Sequence, residues 1–202
     1  KSNLRISYYE TIARPSFREA STAYIYNPIS ETFFLGNINV KPSYIDNYDL
    51  RYEVFGEKNQ MFALSLFFKD FFNPIEVVTY DENSPNTFIA RNVGDASVKG
   101  FELETRKNVI DNERFLSSLT LNATVIDAIQ TMSNSEYISK LNAVKDELNK
   151  GEIFSNERPL QGQSPYIFNA GINNRLLNKN WEIGLFFNVQ GETLSNVGVG
   201  GV

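Results

Sequence analysis

Residues 48–69 read Tyr48-Asp49-Leu50-Arg51-Tyr52-Glu53-Val54-Phe55-Gly56-Glu57-Lys58-Asn59-Gln60-Met61-Phe62-Ala63-Leu64-Ser65-Leu66-Phe67-Phe68-Lys69. Tyr48, Leu50, Tyr52 and Val54 fall on one parity, while Asn47, Asp49, Arg51 and Glu53 fall on the other. Successive side chains of a strand point to opposite faces, so a period of two describes a strand with one apolar and one polar face. The run breaks at Gly56-Glu57-Lys58-Asn59-Gln60, short and polar as a hairpin turn requires. Alternation then resumes, with Phe62, Leu64, Leu66 and Phe68 against Ala63, Ser65, Phe67 and Lys69. This second run extends from Met61 to about Phe72, beyond the usual length of a globular strand.

The same pattern spreads in both directions. Leu4, Ile6 and Tyr8 alternate with Arg5, Ser7 and Tyr9, and Phe101 and Leu103 lie opposite Gly100, Glu102, Glu104 and Arg106. Leu119, Leu121, Ala123 and Val125 oppose Ser118, Thr120, Asn122 and Thr124. Tyr166, Phe168, Ala170 and Ile172 alternate with Asn169, Gly171 and Asn173; Trp181, Ile183, Leu185, Phe187 and Val189 alternate with Glu182, Gly184, Asn188 and Gln190. About seven strands result, each long enough for a tilted membrane crossing of roughly 9–11 residues. Three connections are short, at 56–60, 108–113 and 178–180, and three are long, at about 13–43, 73–97 and 128–165. Strict alternation of short and long puts every long connection at one end. A soluble sandwich gives no reason for that, whereas an outer-membrane barrel does, with short periplasmic turns and long extracellular loops. The fold class read from the pattern is therefore all-β, an antiparallel transmembrane β-barrel segment.

Composition limits the alternatives. The 202 residues are 42% hydrophobic, which excludes a disordered chain, and carry a net charge of -5, which repels nucleic-acid phosphate. There is no cysteine and no histidine, so disulfides, thiolate chemistry, common zinc sites and histidine-assisted nucleophiles are absent. No catalytic residue, metal ligand or cofactor is assigned, and no nucleic-acid partner. No run of 18 apolar residues makes a membrane helix. A mean hydropathy of -0.30 fits a barrel, whose strands are only half apolar. Aromatics reach 13%, and Tyr8, Tyr52, Phe62, Phe68, Tyr166 and Trp181 near strand ends suit an interfacial girdle or, alternatively, core packing. Within the third long connection, Ile138, Leu141, Val144 and Leu148 recur at helical spacing from Ser135, with Gly151 as a stop.

Five segments in series carry a family resemblance: Arg14-Pro15-Ser16-Phe17-Arg18-Glu19; Gly36-Asn37-Ile38-Asn39-Val40-Lys41-Pro42 leading to Asn47-Tyr48-Asp49-Leu50-Arg51-Tyr52-Glu53; Phe68-Lys69-Asp70-Phe71-Phe72-Asn73-Pro74-Ile75-Glu76; Asn92-Val93-Gly94-Asp95-Ala96 before Gly100-Phe101-Glu102-Leu103-Glu104; and Arg158-Pro159-Leu160-Gln161-Gly162-Gln163-Ser164-Pro165-Tyr166. In this order they resemble the C-terminal barrel portion of TonB-dependent outer-membrane receptors of Bacteroidetes type, in the branch with a carboxypeptidase-regulatory-like N-terminal domain. Pro15, Pro42, Pro74 and Pro165 fall where strands meet long loops, and Gly36-Asn37 and Gly94-Asp95 are expected to supply turn conformations. The resemblance implies a barrel of about 22 strands, of which this chain holds a part. Residues 1–202 are expected to be a partial barrel domain without its plug domain and final strands.

The resemblance further implies TonB-dependent active import of a scarce ligand across the outer membrane of a Gram-negative bacterium. Implied partners are the plug domain, the TonB-ExbB-ExbD energising complex acting through the N-terminal part, membrane lipid and, in some branches, a surface lipoprotein lid. Asp49, Arg51, Glu53, Glu102, Glu104 and Arg106 would face the lumen and plug, or else merely cross-link and solvate neighbouring strands. Arg14, Phe17, Arg18, Tyr24, Tyr26, Phe33 and Phe34 are the candidate ligand contacts, because aromatic and Arg groups dominate recognition surfaces; loop packing is the competing role for Phe33 and Phe34. A soluble secreted carbohydrate-binding-like module is the alternative function. A hydrolase using Glu102 and Glu104 is weaker, since two acids on one strand face are also what a lumen stripe gives.

Overall fold

In the computed structural model, the alternating runs pair into one large antiparallel sheet. The structure describes residues 1–80, 84, 86–149, 152–176, 181–195 and 197. Its strands are β1 (Ser2–Ala13), β2 (Tyr24–Asn27), β3 (Thr32–Leu35), β4 (Ser43–Phe55), β5 (Met61–Phe72), β6 (Ile75–Thr79), β7 (Thr87–Asn92), β8 (Ala96–Asp111), β9 (Phe115–Thr131), β10 (Glu157–Pro159), β11 (Tyr166–Leu176) and β12 (Trp181–Gln190). One helix, α1 (Asn134–Val144), lies between β9 and β10. The large sheet runs β1-β4-β5-β8-β9-β11-β12, with β10 added to β9. It is open, and β1 and β12 form its two edges.

Register keeps the two faces chemically separate across all seven long strands. Leu4, Tyr52, Leu64, Leu103, Ala123, Phe168 and Val189 stand opposite one another in one row. Ile6, Leu50, Leu66, Phe101, Val125 and Tyr166 form the next. A slip of one residue anywhere would turn a strand inside out, so hydrophobic pattern and pairing specify each other. Among the described residues nothing packs on this apolar face: Ile6 is 78% exposed, Leu66 46% and Leu185 66%. Each such side chain would gain about 1.5–3 kcal/mol on leaving water. A soluble protein does not leave so wide an apolar surface uncovered.

The long connections are more ordered than alternation alone foretold. Their short strands build a second, four-stranded sheet in the order β2-β3-β7-β6, with β3 parallel to β7. Seven strands is thus the count for the long elements only. The apolar clusters of buried residues lie here, one around Phe34, Val40 and Ala90 and another around Val78, Ile89 and Val197. The core therefore sits in the loop layer, at the end of the long sheet that carries the long connections.

Gly36-Asn37 leads into a turn, the Asn37 carbonyl accepting from the Val40 N–H at 3.2 Å and its side chain from the Asn39 N–H at 3.0 Å, and Gly94 lies at a bend. Neither glycine has positive φ; each also serves close approach, since a Cβ would meet the Ser21 carbonyl oxygen at 2.3 Å or the Thr131 carbonyl oxygen at 2.6 Å. One local expectation is corrected. The helix begins as read, with the Ser133 side chain capping the Glu136 N–H, but it ends at Val144. Its expected stop, Gly151, and the turn 178–180 lie outside the described residues.

Candidate functional site

The polar face of the long sheet is wired from strand to strand. Arg51 is the centre: Nε donates to Glu53 at 2.8 Å, Nη1 to Ser65 at 2.9 Å and Nη2 to Glu104 at 3.1 Å. Arg5 adds a second cation to Glu53 at 3.0 Å. Farther along, Asn122 donates to Glu102 at 2.7 Å, Asn169 to Asn122 at 3.4 Å and Asn188 to Asn169 at 2.5 Å. Asn3, Glu53, Ala63, Glu104, Asn122, Asn169 and Asn188 are direct cross-strand neighbours, so charges and amides form a stripe across the wall. Of the six residues expected on this face, Arg51, Glu53, Glu102 and Glu104 join the wiring. Asp49 pairs in register with Ser7 and Phe67 on the same face, and Arg106 makes no ion pair among the described residues.

The loop-layer candidates divide by burial. Phe34 is only 7% exposed and belongs to the core, with the Arg18 guanidinium 3.9 Å above its ring. Phe33 is half-buried and stacked on Tyr24 at 4.8 Å, with Tyr26 tilted against its ring at 4.9 Å. Tyr24 and Tyr26 themselves are exposed, which leaves an aromatic surface on the β2–β3 hairpin. Phe17 is 98% exposed and Arg14 is exposed beside it. Ser16 and Glu19 hold that turn by reciprocal hydrogen bonds, Glu19 accepting from the Ser16 N–H at 2.7 Å and Ser16 Oγ accepting from the Glu19 N–H at 3.3 Å.

Side chains fix the loops to each other. Asn92 accepts from the Lys41 N–H at 2.7 Å and donates to the carbonyls of Lys41 at 2.9 Å and Asn73 at 2.7 Å. Asn37 donates to the Ala90 carbonyl at 3.0 Å, and the Ser43 hydroxyl to the Asn73 carbonyl at 2.8 Å. These contacts bind the first long connection to the second.

Sequence reasoning missed the strongest cross-link. Arg158 on β10 offers one edge of its guanidinium to Glu76 on β6, at 2.5 and 3.3 Å, and its Nε to Glu136 on α1 at 2.7 Å. All three side chains are at most 5% exposed, and Lys140 completes the group 2.9 Å from Glu136. Burial pulls the Arg158 guanidinium down, but hydrogen bonds and charge from Glu76 and Glu136 outweigh it and hold it above its ordinary value. The Gln161 side chain accepts from the Val77 N–H at 3.2 Å and donates to the carbonyls of Val77 at 3.1 Å and Ser195 at 2.8 Å. Glu76 and Arg158 both lie in segments that carried the resemblance, Glu76 two residues after Pro74 and Arg158 directly before Pro159. That placement was a signal, but their pairing across 82 residues was not readable.

Among the described residues, no group of three acid side chains converges to hold a metal ion, and no helix is long and apolar enough to cross a membrane. The chain matches the family model described as TonB dependent receptor-like, beta-barrel, over residues 2–201. No curated protein matches it.

Proposed function

The chain belongs to the TonB-dependent receptor-like β-barrel family, a family of outer-membrane transporters rather than enzymes, and from that premise we propose that it serves active, TonB-energised import of a scarce ligand. The observation that supports this reading is the uncovered apolar face, continuous in register across seven long strands. Lipid is the solvent that such a face needs. The wired polar face then lines the lumen, and the long connections form an ordered outer layer. A soluble carbohydrate-binding-like module is not favoured, because it would have to cover those apolar rows.

In this reading, further strands close the open sheet and a plug domain fills the lumen. TonB acts on that plug from the periplasm with its ExbB-ExbD partners. The Bacteroidetes branch, and with it a lipoprotein lid, belongs to the same proposal. Ligand contact falls to the exposed members of the loop set: Arg14, Phe17, Tyr24 and Tyr26, with Phe33 as the ring that holds the tyrosines in place. Arg18, exposed like them, joins that set with its guanidinium stacked on the buried Phe34 ring, which supports the surface from beneath.

Deleting 22–35 in the intact receptor would also remove Phe34 from the core, so point substitution is the cleaner test. Tyr24→Ala with Tyr26→Ala is expected to lower ligand uptake at least about tenfold, as loss of a recognition hot spot does, while receptor abundance in the membrane stays constant. Unchanged uptake would remove the hairpin from the ligand path.

A further inference from the structure

The loop sheet β2-β3-β7-β6 has two edges, and among the described residues the chain finishes only one of them. At β6 the margin is closed from within. The Gln161 side chain takes both the N–H and the carbonyl of Val77, and the Val197 carbonyl accepts from the Thr79 N–H at 3.0 Å. Val197 lies alongside Val78 as a parallel bridge, so this sheet completes a margin with extended chain.

At β2 the corresponding groups are bare. The Gly36 N–H donates to the Ala23 carbonyl at 2.9 Å; bonded pairs alternate from there, and Ile25 with Phe34 is the next. Tyr24 with Leu35 and Tyr26 with Phe33 are the non-bonded pairs, whose N–H and C=O groups point away from one another. Phe33 accordingly turns its N–H the other way, to the Asn86 carbonyl at 2.8 Å. Tyr24 and Tyr26 therefore present two N–H and two C=O groups to the open edge, without a partner among the described residues. Charged side chains on an edge strand deter added strands, but β2, Tyr24-Ile25-Tyr26-Asn27, carries none and is exposed along its length. Its two tyrosines flank Phe33 on one face. On the other, Ile25 stands beside Phe34, at the rim of a buried apolar cluster.

Resting on the import reading above, we infer that this edge takes its ligand as an added β-strand: a short extended peptide, paired through its main chain to Tyr24 and Tyr26, with an apolar side chain beside Ile25. In such pairing the main chain supplies affinity and alternate side chains supply specificity. Donors and acceptors on the two tyrosines recur about 6.8 Å apart, two residues of extended chain, which a peptide matches and a sugar ring does not. Two bonding residues are far too few for a stable protein–protein interface, so the occupant is a free peptide rather than a partner protein.

The test titrates full-length receptor in lipid nanodiscs with a dye-labelled, end-blocked pentapeptide alternating threonine and valine, read by fluorescence anisotropy and by amide exchange at 24 and 26. Binding is expected to slow exchange at both amides. Alternate amides of a strand face opposite sides, so N-methylation at the residues of one parity is expected to weaken binding about tenfold, and at the other parity to leave it unchanged. Tyr24→Pro removes an outward N–H and leaves the β2–β3 bonds in place, as an edge proline can. It is expected to bind about tenfold more weakly than Tyr24→Ala, which lacks the ring but keeps that N–H. The inference is overturned by equal tolerance of both methylated peptides, by equal affinity of the two variants, or by no slowing of exchange at any soluble peptide concentration. Amides at 24 and 26 already protected in the free receptor would overturn it too, because another loop would then cover the edge. None of these outcomes touches the import reading, whose own test is uptake in Tyr24→Ala with Tyr26→Ala.

Discussion

Arg158 is the residue on which the loop layer turns. Its guanidinium joins β6 to α1 from β10, and both acids it neutralises are buried. Breaking a buried pair from one side leaves an uncompensated charge, at a cost of about 3–5 kcal/mol. Arg158→Met is therefore expected to speed amide exchange in 75–79 and 134–144 of the full receptor, with little change in β4 and β5. A double variant, Arg158→Met with Glu76→Leu, is expected to recover part of the loss, since it removes an orphaned acid along with its partner. The pH dependence follows in sign. The guanidinium is raised above its ordinary value, so what it contributes is present throughout the neutral and mildly alkaline range and lost only as pH rises through that raised value. Mild alkali, to about pH 10, is expected to leave exchange at β6 and α1 unchanged.

Among the elements, the β4–β5 hairpin shows best how much the sequence discloses. Its two strands, their parity and its turn were all legible, because period two and a polar break are local signals. Within the turn, Lys58 and Asn59 take φ values of 52° and 63°, and Gly56 closes it by donating to the Gln60 carbonyl at 2.9 Å. Asparagine tolerates that region and lysine does so less readily. Lys58→Gly is expected to raise the temperature of the receptor's heat-modifiable gel shift, by relieving about 1 kcal/mol of backbone strain. The lost ion pair to Asp111 is exposed and offsets little of it. Gly100 on β8 tests strand approach in the opposite direction. A Cβ there would lie 2.3 Å from the Val125 carbonyl oxygen and 2.6 Å from the Phe67 ring. Gly100→Ala is expected to lower the same transition, at a cost of about 1–3 kcal/mol. What could not be read was the loop sheet. Its strands are only a few residues long, too short for a period to declare itself, and β3 pairs with β7 in parallel across more than fifty residues of chain. The division of the aromatic set was hidden for the same reason: Phe33 and Phe34 are adjacent, yet one lies half-buried beneath two tyrosines and the other in the core.

At the scale of the whole molecule, one inversion organises everything else. The buried apolar clusters lie in the loop layer, while the long sheet turns its apolar rows outward. Polar wiring on the opposite face ties each strand to its neighbour, and ion pairs and amides bind the loops into a unit. Such a molecule is stable in a medium that is oily at the waist and wet at the ends. The absence of cysteine allows a clean direct test. Single variants from Phe62→Cys through Phe68→Cys, spin-labelled in the full receptor in lipid nanodiscs, report access to oxygen from lipid and to a nickel chelate from water. Labels at 62, 64, 66 and 68 are expected to favour oxygen, and those at 63, 65 and 67 to stay shielded from lipid. Equal oxygen access on both parities, or even-numbered positions open to the chelate, would contradict a lipid-facing wall.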